Sequence, residues 1–236
     1  MGAAGIQAPP SACRSGAEAL DEAQLAEAVR LILAGQTPPA AWGPHITELR
    51  LERARITDLR PIAALTGLRR LVLSQTLVCD LAPLAALTRL RRLELTRSRV
   101  SDLTALAGLT ELRSLHLSFT PVRDLTPLAA LELLEGCFLT GTLVEDAAPL
   151  AGLVRLERLD LGGTAVRDAA PLARLTRLRS LDISGTRITD LAPLAALTRL
   201  QYLDLTRAPA TDLAPLAALT NLRRLLLSPS SGPRVV

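Results

Sequence analysis

The segment Leu178–Thr198, LRSLDISGTRITDLAPLAALT, decides the fold, because relatives of it recur nine times at a constant interval of 22 residues. The Leu-x-Leu core of the unit falls at Leu49/Leu51, Leu71/Leu73, Leu93/Leu95, Leu115/Leu117, Cys137/Leu139, Leu159/Leu161, Leu181/Ile183, Leu203/Leu205 and Leu225/Leu227, without insertion or deletion. Alternation around Leu181 and Ile183 predicts a short strand with two aliphatic side chains inward and Ser180, Asp182 and Ser184 outward. Ile188 returns to the core and Asp190 follows. Asp stands in that column in eight coils, at Asp58, Asp80, Asp102, Asp124, Asp146, Asp168, Asp190 and Asp212. A carboxylate row for metal is one reading of the column. A helix N-cap fits better, because Leu-x-Pro-Leu follows and Pro in a first turn gives up a donor that has no intrahelical partner.

A repeat of this length carrying L-x-x-L-x-L resembles the leucine-rich repeat family, over roughly residues 46–236. The resemblance implies an α/β solenoid, a right-handed leucine-rich repeat with parallel β-strands on the concave face, short helical turns on the convex face and an N-terminal helical cap. It is similar to the 22-residue, internalin-like bacterial class, whose best-known members are surface proteins. Where most such repeats carry Asn, this chain has Thr76, Ser98, Thr120, Thr142, Thr164 and Thr186. A hydroxyl bonds fewer neighbours than an amide, so a weaker ladder between coils is expected in that column.

The chain has 236 residues, 49% of them hydrophobic but only 2% aromatic, as a Leu/Ala/Val repeat produces. All 27 basic residues are Arg, which points to a GC-rich bacterial source. The net charge of +4 permits contact with nucleic acid or an acidic surface without requiring it. Three cysteines form no disulfide framework, so reduced thiols and a cytoplasmic location are expected. No uninterrupted apolar run approaches about 18 residues and no secretory signal is evident at the N-terminus, so no membrane association is expected.

Residues 1–15 read as a mobile N-terminal tail. Residues 16–45 read as a helical cap and its connection, with a helix from about Ala17 to Leu33, Ser15 as its cap and Gly35 as its stop. The stretch LAEAVRLILAG resembles the helical caps of internalin-like proteins, and Trp42 is expected to pack on this cap. Residues 46–228 make nine coils, the last incomplete, and 229–236 a C-terminal tail. Since each coil contacts only its neighbours, none is stable alone. The pattern frays at Leu131–Gly141, and again where Ala208 and Ala210 replace Thr and Val, which should loosen that coil. No polar C-terminal cap is read in the sequence, which leaves a last strand that tolerates exposure, self-association through the last coil, or derivation from a longer protein, as open readings.

The side chains that the repeat does not need carry the candidate site. The central outward column reads Arg50, Val72, Glu94, His116, Phe138, Asp160, Asp182, Asp204 and Leu226. Adding Phe119 and Tyr202 gives an aromatic middle beside an acidic half, with Arg70, Arg92 and Arg97 making the opposite half basic. Glu94, His116, Phe119, Phe138, Asp160, Asp182, Tyr202 and Asp204 are therefore the candidate protein-binding residues, since aromatic anchors carry interface energy and charge sets orientation. A straight row of Asp supplies too few converging oxygens for a cation, so neither metal nor cofactor is expected. His116 stands two strand spacings, roughly 10 Å, from Asp160, and no catalytic constellation results. The expected function is a non-enzymatic protein-interaction module for an unidentified protein partner. The alternatives are a sensor or scaffold within a signalling system, and nucleic-acid binding along the Arg69, Arg91, Arg113, Arg179 and Arg223 rim.

Overall fold

The structure is a computed structural model that describes residues 20–228. The tails expected at 1–15 and 229–236 lie outside the described residues. Helix α1, Glu22–Leu33, starts five residues later than the sequence suggests, at a capping box in which Asp21 accepts from the Gln24 N–H and the Gln24 side chain accepts from the Asp21 N–H. Ser15, the cap expected from the sequence, is itself outside the described residues. Gly35 does take the left-handed conformation that ends the helix (φ +73°). Trp42 packs against the core. The connection sits so close to the first coil that a Cβ on Gly43 would lie 2.2 Å from the Ala64 carbonyl oxygen, and one on Gly67 the same distance from that of Pro44. Glycine is obligatory at both.

Nine three-residue strands follow: β1 Glu48–Arg50, β2 Arg70–Val72, β3 Arg92–Glu94, β4 Ser114–His116, β5 Gly136–Phe138, β6 Arg158–Asp160, β7 Ser180–Asp182, β8 Tyr202–Asp204 and β9 Arg224–Leu226. They form one parallel sheet in sequence order, each residue opposite the one 22 positions on. The chain is thus a right-handed leucine-rich repeat solenoid with an N-terminal helix. Leu-x-Leu side chains fill the interior: Leu71, Leu93, Leu115, Leu181 and Leu203 are wholly buried, as are Leu84, Leu128, Leu150 and Leu194 from the opposite wall.

That opposite wall is built of 3-10 turns rather than α-helix, with Pro in the first turn of most of them, as in Ala192–Ala196. The Asp column caps them from one place further out than expected. Each carboxylate accepts the N–H two residues on, at 2.8–2.9 Å, from Asp58 to Asp212. The residue between, such as Leu81 or Leu191, is the actual N-cap.

The hydroxyl column bonds within each coil. Thr76, Thr120, Thr142, Thr164 and Thr186 are buried and donate to the carbonyl three residues back in their own coil, at 2.6–2.8 Å. Bonds between coils are made instead by backbone groups, such as the Arg187 N–H to the Val166 carbonyl at 2.8 Å. Ser98 alone in the column leaves its buried hydroxyl without a partner.

Of the two irregular places, the first is absorbed. Strand β5 keeps its register, Cys137 is buried in the Leu column, and the Phe138 ring lies over Gly136, where an added Cβ would come within 3.2 Å of it. The second is looser, as expected. Leu213 is 37% exposed where its column mates Leu59, Leu103 and Leu191 are 1% exposed. Ala208 and Ala210 fill less space beside it, and no further coil stacks on it among the described residues.

Leu181→Ala removes a fully buried side chain from the centre of the stack and should lower stability by about 2–5 kcal/mol in denaturant unfolding. A change within error would mean that the column is not packed. Ser98→Thr supplies the methyl that fixes the side-chain rotamer and turns the hydroxyl toward the Leu95 carbonyl. It should raise stability by about 0.5–1.5 kcal/mol, and a destabilised variant would refute that bond.

Candidate protein-binding face

Because every strand is offset by one period, the central outward column becomes a row: Glu94, His116, Phe138, Asp160, Asp182 and Asp204 are successive register partners. Six of the eight candidate residues are therefore neighbours in the order read from the sequence. Tyr202 joins them on β8, two residues before Asp204 and on the same face. Phe119 does not lie in the row.

Phe119 sits in the turn after β4 with φ +59°, 51% exposed, its ring against Gly141 and under the Arg97 guanidinium at 5.1 Å. It belongs to a column of left-handed residues that the sequence alone did not reveal: Arg53, Gln75, Arg97, Phe119, Gly141, Gly163, Gly185 and Arg207. Gly at three consecutive coils was the available signal, since only Gly enters that region freely. These glycines leave a low shelf at the end of the strands, opening into a hollow of about 430 Å³ lined by Gly163, Ser184, Gly185, Thr206, Arg207 and Ser228. Another hollow, of about 500 Å³, lies on the convex side beside Cys79 and two capping aspartates, away from the row.

Phe138 is half-buried and stacked on His116, with ring centroids 4.2 Å apart and planes 17° from parallel. The pair is a flat aromatic patch rather than two exposed anchors. Burial, and then the Arg92 charge, hold the His116 imidazole below its ordinary pKa, so the stack is neutral near pH 7. Ser114, missed in the sequence although it lies two residues back on the same face, places its hydroxyl 3.0 Å from His116 Nε2. Glu94, the register partner of His116, pulls the imidazole pKa upward less than burial and Arg92 lower it, and its carboxylate bonds Arg70 and Arg92.

The expected basic half is largely neutralised. Arg70 and Arg92 both bond Glu94 Oε1, at 3.0 and 2.8 Å, while Arg50 and Arg70 approach Glu48 at 2.6 and 3.5 Å. Burial opposes the Glu94 charge, but the two guanidinium bonds outweigh it and hold the carboxyl below its ordinary range.

The acidic half is different. Asp160, Asp182 and Asp204 each accept the N–H two residues on, from Gly162, Ser184 and Thr206 at 2.8–2.9 Å. Thr140 adds a hydroxyl to Asp160 at 2.6 Å, and Tyr202 one to Asp204 at 3.3 Å. Desolvation raises the Asp182 pKa and the flanking Asp160 and Asp204 raise it further, against the lowering pull of Ser184. Among the described residues no group of three or more His, Cys, Asp or Glu is placed to share a metal ion.

Comparison with known proteins places this architecture. The crystal structure of internalin C2 from Listeria monocytogenes is 33% identical, covers 87% of this chain and 92% of its own, and superposes with a TM-score of 0.80. The chain belongs to the bacterial internalin-like class of leucine-rich repeat proteins. Internalin inlF of the same organism is 28% identical over 87% of this chain and 75% of its own, with a TM-score of 0.60. A leucine-rich repeat protein of Leptospira interrogans shares the fold at 19% identity and a TM-score of 0.59, over 80% and 63% of the two chains. The family profile for leucine-rich repeats (two copies) matches residues 176–218. No curated protein sequence matches the chain. No helix among the described residues is long and apolar enough to cross a membrane.

The raised pKa of Asp182 has a consequence for stability. Its ionisation is harder in the folded chain than in the unfolded one, so the charge lowers stability above the folded pKa, and protonation relieves that cost. Asp182→Asn keeps an acceptor for the Ser184 N–H. The wild type should therefore gain stability relative to this variant as pH falls from 7 through the raised Asp182 pKa into the ordinary aspartate range, measured by urea unfolding at each pH. Parallel pH profiles would mean that folding does not raise the Asp182 pKa.

Proposed function

We propose that this internalin-like chain is a non-enzymatic protein-interaction module that holds a protein partner against its concave sheet face. The observation that carries the reading is the continuity of the row. An aromatic patch of His116 and Phe138 adjoins three in-register carboxylates flanked by Tyr202, with Phe119 exposed at the border. Apart from Phe138, whose ring covers Gly136, packing the repeat requires none of these side chains to be aromatic or acidic, since the fold is held by the buried Leu columns. A surface of aromatic area bordered by one sign of charge suits a protein partner, which supplies apolar contact and countercharge together.

Nucleic acid is less well supported, because three of the five rim arginines lie beside carboxylates. Arg91, Arg113 and Arg179 lie beside Glu111, Glu135 and Glu157, at 3.6, 2.8 and 3.7 Å. Self-association is favoured as a second mode by the exposure of Leu213, Leu225 and Leu227 at the last described coil. A sensor or scaffold role would use the same partner-binding face. The free thiols of Cys79 and Cys137 support a reducing, cytoplasmic setting.

The test is affinity capture from a lysate of the source organism, with the whole chain and its Asp182→Arg, Tyr202→Ala double variant as parallel baits. A protein retained by the wild type should be depleted at least about tenfold on the variant, a loss of about 1.4 kcal/mol, while far-UV circular dichroism stays unchanged. Equal recovery by the folded variant would move the site off this face.

A further inference from the structure

Acidic side chains on the strands fall into two kinds. Glu48 and Glu94 each meet two guanidinium groups. Asp160, Asp182 and Asp204 have no Arg within ion-pair distance among the described residues, and their bonds come from backbone N–H groups and hydroxyls. The Arg on the neighbouring strand, Arg224, is stacked over the Tyr202 ring at 5.8 Å. Three like charges thus stand one strand spacing apart, each fixed in direction by its bond two residues on and none neutralised. A cationic partner would find these oxygens already oriented, without ordering three flexible side chains on binding.

The surroundings give the row a shape. On the side of the earlier coils stands the His116–Phe138 patch. Along the ends of the strands runs the shelf of Gly162, Gly163 and Gly185, where a Cβ on Gly162 would come within 3.0 Å of Ser184 Oγ and 3.3 Å of the Asp160 and Asp182 carboxylates. The shelf is therefore kept free of side chains, and bulk can approach the carboxylates from that side.

The spacing selects the occupant. Carboxylates on adjacent strands recur about every 4.8 Å, so the three span about 9.6 Å. An α-helix rises about 1.5 Å per residue, which puts residues i, i+3 and i+7 at about 0, 4.5 and 10.5 Å along one face. An extended segment laid in the same direction repeats a face only every 6.8 Å or so, and is out of step by its second side chain. We propose that the occupant of the concave face is a basic α-helical segment of the partner, laid across the strands with Arg or Lys at i, i+3 and i+7 over Asp160, Asp182 and Asp204. An apolar residue one turn before the first cation meets the Phe138 ring. This rests on the reading of the face as a partner site and adds the partner's chemistry.

The test uses the full-length chain and a synthetic peptide of about 18 residues, alanine-based, lactam-stapled and fluorescently labelled, with Arg at i, i+3 and i+7 and Leu at i−4. Two controls carry the same three Arg and the same Leu: an isomer with Arg at i, i+2 and i+5, and an unstapled version interrupted by proline. Fluorescence anisotropy at physiological salt should show the first peptide binding at least about tenfold tighter than either control. Asp182→Asn should weaken it at least about fivefold, and Asp168→Asn on the convex side should leave it unchanged. Equal binding of the isomer would reduce the effect to non-specific attraction, and equal binding of the proline peptide would give the face to an extended segment. Either result, no binding at all, or indifference to Asp182→Asn overturns the proposal. If the captured protein still depends on Asp182 and Tyr202 while the peptides show no preference, the helix fails and the interaction face stands.

Discussion

Each coil of this chain is held by the coils beside it. Leu181 is buried because Leu159 and Leu203 lie one strand spacing away on either side, and the same holds for the core Leu of the strands inside the stack. Such an interior requires each coil to advance by the same number of residues, because a single insertion would turn one coil's aliphatic face away from its neighbours'. The constant interval of 22 residues meets that requirement from the first strand to the last. Leu213, Leu225 and Leu227 are exposed where no further coil stacks among the described residues.

That constraint also fixes what the surface can be. With the inward positions committed to Leu, Ile and Val, the strands vary only outward, and those positions line up across the sheet. A row then behaves as one surface, whose charges interact at about one strand spacing. On the early coils this proximity is relieved internally, since Arg70 lies between Glu48 and Glu94 and reaches both. On the later coils three carboxylates stand together with no Arg within ion-pair distance among the described residues, and burial, reinforced by the two neighbours, raises the pKa of Asp182, the middle one. The two ends of the concave face therefore differ in kind: one is self-satisfied and the other retains unspent field.

Local irregularities are accommodated by side chains and leave the coil path unchanged. Gly136 and Cys137 interrupt the Leu pattern of the middle coil, yet the strand register holds because the Phe138 ring covers the gap above Gly136 and stacks on His116. Burial that pushes the Cys137 thiol up to about 12 leaves it an inert filler of the Leu column. The aromatic patch is thus both a repair and a surface feature, and its flatness comes from the repair.

The period and the alternation were sufficient to derive the solenoid, the identity of the buried columns and the membership of the outward row, because a solenoid with one interval turns sequence distance into spatial adjacency by simple addition. They were also sufficient to place His116 beside Phe138 and to set Asp160, Asp182 and Asp204 in line. They could not tell that Arg70 and Arg92 converge on Glu94, that the Thr hydroxyls turn inward to their own coil, or that Phe119 sits in a left-handed turn against Gly141. Those outcomes depend on rotamers, backbone torsions and burial, which a repeat leaves free at exactly the positions its core does not use. The tertiary structure therefore decided which charges are already matched and which still face an open surface.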